Sequence, residues 1–526
     1  MPITPTYPGV YIEEVTSGVR TITPVATSRT VFIGRTLRGP QDDATQVQSY
    51  AEFERNFGAL DVRLSLPYAV QQFFDHGGTD ALIVRVVHID AKASTAVVNS
   101  LPLKSSGAGL WGNKLQARID HDVKPGEDGK TPRNDLFNLF LNDTETRTRE
   151  AFRNLSVDPN DARYFETVLE QQSQLVRSNR PLDQADVPRP DKHADIPDNG
   201  NRDLFASEDR YSKFNVDGQD GGEIDDDDIL GNEAKKTGLY ALERWEKEFN
   251  LCVVPPLTRT KEVSAETLGK ITNYCTIRRA LVLIDAPSDW LSVATAADQV
   301  DTFRSNFSIK KNAAIFFPRL KMPDSKRENR TAEFPPCGAV AGICARTDAT
   351  RGVWKSPAGI EATFNGVSEF SVKMSDAENG RLNPLGINCL RFLPGGIGNV
   401  VWGSRTLDGA DRLASEWKYL AVRRFALFLE ESLYQGTQWV VFEPNDEPLW
   451  SQIRLNIGAF MHGLFRQGAF QGRSPREAYF VRCDKSTTTQ TDINRGIVNI
   501  EVGFAPLKPA EFVILKISQI AGEIET

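Results

Sequence analysis

The sequence predicts a multidomain protein of α/β and α+β class, with α/β sheet domains, a C-terminal α+β domain and an extended strand arm at each end. Three observations predict it. Short apolar runs such as TVFIG at residues 30–34 alternate with amphipathic helical segments, the pattern of strands buried on both faces beneath crossover helices. Beyond residue 381 two long amphipathic segments precede a group of strands instead. Strand-like stretches over residues 10–15 and 511–517 stand apart near the two ends. A chain of 526 residues suits roughly two to four domains.

The elements follow in order. Pro8-Gly9 makes a turn before the strand VYIEEV, and a Thr/Pro/Ser-containing stretch over 16–28 reads as a linker. A strand at 30–34, a helix at 66–75 stopped by Gly77-Gly78, and a strand at 81–87 form a unit whose strands pair in parallel. Strands are expected at 116–119, 136–141 and 150–157, and a helix with an acidic first turn at 161–176. Between 178 and 230 Pro, Asp, Asn and Gly dominate, which predicts an exposed excursion outside the core.

Alternation then resumes, with helices at 238–249, 264–278 and 294–305 and strands at 251–254, 280–284 and 313–317. Residues 318–385 read as loop-rich. A hairpin at 388–392 and 399–405 flanks Pro394-Gly395-Gly396, followed by helices at 411–434 and 449–470 with a strand at 438–442 between them. Strands at 478–481, 496–504 and 511–517 close the chain. The implied domains are an arm and linker (1–28), a sheet domain (29–100 with 235–380), an outer domain (101–234), a C-terminal domain (381–507) and a second arm (508–526).

Bulk properties exclude several functions. A net charge of −8 gives no long-range attraction for phosphate backbones, so nucleic acid is not an expected partner. No window approaches the ~20 apolar residues of a membrane span, and residues 1–6 lack the basic and apolar regions of a signal peptide, so synthesis in the cytosol is expected. The six cysteines carry no C-x-x-C pair and read as buried reduced thiols.

Catalytic signatures are missing. There is no phosphate-binding G-x-x-x-x-G-K-[ST], no H-E-x-x-H, no G-x-S-x-G and no G-x-G-x-x-G, and the five histidines form no ligand-spaced pair. Leu268-Gly269-Lys270 continues with Ile271, which has no hydroxyl for Mg²⁺, and Ser415-Glu416-Trp417-Lys418 fits a spacing that is common by chance. The acidic run DGQDGGEIDDDD at 217–228 fails the EF-hand spacing at Gln219 and Gly221 and reads as solvated. No cofactor, metal or enzymatic activity is expected. The rival is an α/β enzyme with Asp285 at a strand-end crevice, which has no partner base or nucleophile beside it.

Several stretches resemble, in order, the contractile tail sheath proteins of bacteriophages, R-type bacteriocins and extracellular contractile injection systems. These are YPGVYIEEV with VATSRTVFIGRTLRGP, then PPCGAVAGICARTDATRGVWKSPAG, NPLGINCLRFLPGGIGNVVWGSRTL, WKYLAVRR, NIGAFMHGLFRQGAF and GFAPLKPAEFVILKISQI. The match is interrupted chiefly between 178 and 230. The resemblance implies a homo-oligomer of stacked hexameric rings around an inner tube, with baseplate and terminal cap proteins as further partners and no membrane insertion. It implies assembly in the bacterial cytoplasm, then residence in a phage tail or released particle that contracts from a metastable state. It also implies that terminal arms add strands to neighbouring subunits.

That implication selects residues. In the first arm Val10 and Ile12 point one way and Tyr11, Glu13 and Val15 the other, with Glu14 alongside as a second acid. In the second, Phe512, Ile514 and Lys516 oppose Val513, Leu515 and Ile517. The alternative is that both termini pair within their own chain. Between Pro448 and Arg476 there is no acidic residue, so Arg454, Arg466, Arg473 and Arg476 are candidates for resting on an acidic tube. The competing reading buries Leu455, Phe460, Leu464 and Phe465 in a core and leaves the arginines in water.

Overall fold

The computed structural model describes residues 20–125, 133–181, 188–196 and 202–514. The chain forms two compact units, one of Thr27–Thr350 with Pro357–Leu420, the other of Met1–Ala26, Arg351–Ser356 and Ala421–Thr526.

The larger unit is built on an eight-stranded sheet. Its strands are β1 (Thr30–Gly34), β2 (Ala44–Val47), β3 (Ala81–Arg85), β4 (Leu251–Val253), β5 (Leu281–Asp285), β6 (Ala313–Phe317), β7 (Ile387–Leu393) and β8 (Gly398–Val401). The spatial order is β8-β7-β6-β5-β4-β1-β3-β2. The strands from β3 to β7 are parallel, and antiparallel β2 and β8 finish the two edges. Parallel strands bury both faces, and Val31, Phe32 and Ile33 are fully buried. Helix Leu66–Asp75 lays Phe73 against Phe32 with ring centroids 5.5 Å apart. Helices Ala265–Ile277 and Val293–Ser305 begin at Ser264 and Ser292, whose side chains accept from Thr267 and Thr295 amides.

The stretch expected to be loop-rich is ordered. It holds a three-stranded sheet of Leu320–Asp324, Arg330–Phe334 and Glu369–Phe370, and helix Cys337–Arg351. This helix gives no amphipathic signal because its first turns are small residues buried all round. Its glycines let it approach helix Leu66–Asp75 closely: a Cβ on Gly338 would lie 2.3 Å from the Ala69 carbonyl oxygen, and one on Gly342 2.4 Å from that of Phe73.

Hairpin β7–β8 forms about Gly395-Gly396, yet it belongs to the large sheet, because Ile387 pairs beside Ile315 of β6. The expected start of a C-terminal domain at 381 is therefore too early. The helix expected from 411 begins at Leu420, after a single 3₁₀ turn at Asp411–Leu413. Similarly, 238–249 is a 3₁₀ segment over Gly238–Arg244 only.

Two smaller sheets precede β4. One orders Ser212–Lys213, Leu115–Asp120, Leu136–Asp143 and Arg149–Ser156, and the other Thr95–Val98, Leu101–Ser105 and Val176–Ser178. They share a core that includes Leu103, Phe137, Leu139 and Phe165. The helix expected over 161–176 spans only Phe165–Gln172, since Ser173 turns the chain into a strand. The excursion over 178–230 is not wholly exposed. Three of its apolar residues are inserted: Phe214 joins the core of the small sheets, while Ile224 and Ile229 join that of the large one; Val216 stays exposed. His193 ties it down further, its Nδ1 accepting from the Ile119 amide at 3.0 Å.

The smaller unit packs helices Leu420–Gly436, from Ala421 on, and Glu447–Arg466 with an antiparallel pair, Tyr479–Arg482 and Glu501–Phe504. The strand expected over 438–442 is instead a 3₁₀ turn, Gln438–Val440, after which Val441 and Phe442 are exposed. No helix among the described residues is long and apolar enough to cross a membrane. All six cysteines are buried and unbridged.

Candidate inter-subunit surface

The antiparallel pair pairs Tyr479 with Phe504, Phe480 with Gly503, Val481 with Val502 and Arg482 with Glu501. Alternation sends Tyr479, Val481, Val502 and Phe504 to the core of the smaller unit. There Phe504 meets Phe425 edge-on at 5.5 Å, and Phe470 lies 5.3 Å from Phe425 and 5.8 Å from Tyr479. The outer face carries Phe480, whose ring covers Gly503 closely enough that a Cβ there would be 2.2 Å away. The Arg482 guanidinium lies 4.8 Å over the same ring.

Among the described residues this sheet has two strands only. Among the described residues no third strand covers either edge, although Phe470 and Pro506 form a single bridge just beyond the second strand. A lone pair of strands is marginal in water, and here the aromatic core beneath one face supports it.

Of the arm residues, Val10 to Val15 and Leu515, Lys516 and Ile517 lie outside the described residues. Phe512, Val513 and Ile514 are described: they form no regular element and are 73%, 79% and 82% exposed. Three successive large apolar side chains in water are costly unless something covers them.

The linker is shorter than the sequence implied. Within the smaller unit, the Arg20 amide donates to Asn456 Oδ1 at 2.9 Å, the Val25 amide to Ser432 Oγ at 3.3 Å, and the Arg20 guanidinium stacks 4.6 Å over Trp439. Ile22 is buried where Gly436 leaves room: a Cβ at Gly436 would lie 2.6 Å from the Ile22 side chain. Residues 20–26 are docked, which no composition signal announces.

The arginine cluster divides. Arg454 pairs with Glu447 at 2.7 Å and also donates to the Cys483 carbonyl. Glu447 lies one residue before the acid-free window and two turns from Arg454 on the same helix, so Arg454 is a tie within the unit and not a free cation. Arg466, Arg473 and Arg476 are exposed. Phe460 and Leu464 are buried as the competing reading expected and Phe465 partly so, but Leu455 is 52% exposed.

Asp285, the enzyme rival's residue, accepts a hydrogen bond from the Cys337 amide at 2.8 Å at the start of helix Cys337–Arg351. Burial pushes its carboxyl up to about 6. In the acidic run, Asp225 caps helix Asp226–Leu230, and His88 lies near Asp225 and Asp228, with its Nδ1 bonded to Asp90 at 2.5 Å.

Comparisons with known proteins agree with this architecture. Residues 229–407 match the phage tail sheath protein central domain and residues 414–520 the phage tail sheath C-terminal domain, together more than half of the chain. The tail sheath protein of Vibrio phage KVP40 is 26% identical over 298 residues, covering 53% of this chain and 43% of its own. A putative prophage major tail sheath protein of Pseudomonas aeruginosa is 25% identical over 282 residues, covering 53% of this chain and 67% of its own. The chain thus spans less than half the length of its KVP40 relative.

Among solved structures, the helical sheath of the anti-feeding prophage in its contracted state matches with a TM-score of 0.56 at 22% identity, covering 98% of this chain and all of that one. The PVC sheath complex of an extracellular contractile injection system, also contracted, matches with a TM-score of 0.55 at 20% identity over 98% and 99% of the two chains. At such identities these matches establish the fold. With the matched central and C-terminal domains in their proper order, the chain belongs to the phage tail sheath family.

Proposed function

We propose that the chain is a structural subunit of a contractile sheath, polymerising as stacked hexameric rings around an inner tube and contracting to drive that tube through a target membrane. The observation that carries the reading is a sheet of two strands among the described residues, in a unit that also carries exposed Phe512, Val513 and Ile514. Open edges take strands from other copies, and alternate side chains of an arriving strand set the register. The terminal stretches around Val10–Val15 and Phe512–Ile517 supply those strands. Relatives solved as a helical sheath and as a baseplate assembly support polymerisation of this chain and its meeting with baseplate, tube and cap proteins.

Arg466, Arg473 and Arg476 are the tube-facing cations of this reading, with contacts individually weak enough to release on contraction. Energy stored at assembly drives the motion, as a bistable interface released by a trigger, without hydrolysis. The particle forms in the bacterial cytoplasm and acts from a phage tail or released injection particle. The enzyme reading weakens because Asp285 is engaged by a helix amide.

The test is deletion of residues 1–17, with the tube protein co-expressed. A folded, soluble chain that no longer polymerises supports intermolecular pairing; an insoluble monomer speaks for pairing within the chain.

A further inference from the structure

The carboxyl ends of β1, β3 and β4 open onto a cavity of about 510 Å³. The sheet order reverses at β1. The chain passes from β1 to β3 on one side, returns as β4 on the other, and then runs outward through β5, β6 and β7. Connections that leave in opposite directions open a crevice beyond the strand ends, where α/β sheets take ligands. The lining fits that position: Arg35 follows β1, Arg85 ends β3, and the loop after β4 brings Leu257 and Arg259.

The charge in the crevice is unevenly compensated. Four arginines, Arg35, Arg63, Arg85 and Arg259, line it with two acids, Asp220 and Glu223, and Asp61 and Asp324 beside the lining make the acids four as well. Arg63 and Arg259 are paired with Asp61 and Asp324, each at 2.8 Å. The other two guanidinia bond to carbonyl oxygens. Arg35 donates to those of Gly222 at 2.5 Å and Asp220 at 2.8 Å, and Arg85 to those of Gly39 at 3.2 Å and Ala108 at 2.6 Å. Arg85 is 2% exposed and has no carboxylate partner among the described residues. A buried guanidinium held by carbonyls alone keeps a positive charge that an anion would offset. Burial pushes Arg85 down to about 10, so the charge persists at neutral pH.

Part of the lining is apolar. Leu64, Ile224 and Leu257 form it and are nearly fully buried. We infer that this crevice binds a small organic phosphate, with the guanidinia taking the phosphate oxygens and the aliphatic wall covering the organic body. This inference is independent of the sheath reading.

The test is calorimetric titration of the full chain at low salt with ADP, AMP and inorganic pyrophosphate. Variants are Arg63→Glu, Arg35→Gln and, as a control, Arg330→Glu, whose side chain is 78% exposed and outside the cavity. We expect one saturable site, tighter for ADP than for pyrophosphate, weakened about tenfold or more by Arg63→Glu and unchanged by Arg330→Glu. ADP should also raise the thermal midpoint. Arg35→Gln should lose binding as well; if it fails to fold, Arg63→Glu decides alone. No saturable binding below about 1 mM, or equal weakening in the control, overturns the inference. Pyrophosphate binding as tightly as ADP overturns the organic body and leaves only an anion site.

Discussion

The two units solve the problem of sheet edges differently. The eight-stranded sheet ends on both sides in a short antiparallel strand, β2 and β8, so that its hydrophobic parallel strands are interior. The smaller unit has, among the described residues, a two-stranded sheet whose inner face rests on a packed aromatic cluster and to which no third strand is paired. The larger unit thus covers its parallel strands within its own chain, while in the smaller unit the proposed assembly would supply the missing strands. That difference separates stability from assembly and predicts that substitutions divide the same way.

The largest effect is expected beneath the open sheet. Phe425, 1% exposed, touches Phe470, Phe504, Phe428 and Trp354. Phe425→Ala should cost about 3–5 kcal/mol, measured by denaturant unfolding of the smaller unit's transition. Next comes the close helix contact of the larger unit. Gly338→Val forces a side chain against the Ala69 carbonyl and should cost about 1–3 kcal/mol. A cost near zero would mean that the two helices do not approach as described.

Two buried groups give the larger unit opposing pH responses. His76 is 1% exposed, with Nδ1 donating to the Gln72 carbonyl and Nε2 accepting from the Asn365 amide. Burial, the main cause, pushes it from 6.5 down to about 4. Its folded value lies below its unfolded one, so its contribution is present above pH 6.5 and is lost as pH falls through about 4. Asp285 is raised from 3.8 to about 6, so its contribution is present below 3.8 and is lost as pH rises through 6. Thermal midpoints between pH 7 and 4 should therefore fall more steeply in Asp285→Asn than in wild type, and less steeply in His76→Gln.

How much of this was legible follows from which signals are local. Helix Leu66–Asp75, β1 and β6 were readable to the residue because apolar runs and glycine stops mark them. Helix Cys337–Arg351 was not, since CGAVAGICA has no polar face to give a period. The docking of residues 20–26 and the pairing of Arg454 with Glu447 depend on tertiary placement, as does the gathering of Arg35, Arg85 and Arg259 at one crevice. The alternation that places Phe480 outside and Val481 inside was available; that the sheet would have only two strands among the described residues was not.

The smallest effect on the isolated chain is expected at the exposed arginines. Reversing Arg466, Arg473 and Arg476 to Glu should change stability by less than about 0.5 kcal/mol while weakening sheath assembly around tube at low salt, a loss that added salt partly relieves. Unaltered salt dependence would remove them from the tube contact.

The central claim, that this chain is finished by other copies of itself, is tested most directly at Phe512 and Ile514. Both are exposed, so Phe512→Asp with Ile514→Asp should leave the unfolding midpoint of the monomer unchanged. Negative-stain microscopy of the double variant co-expressed with tube and baseplate proteins should show no striated sheath, and the wild type should show long striated tubes. Normal sheaths from the double variant would contradict the account.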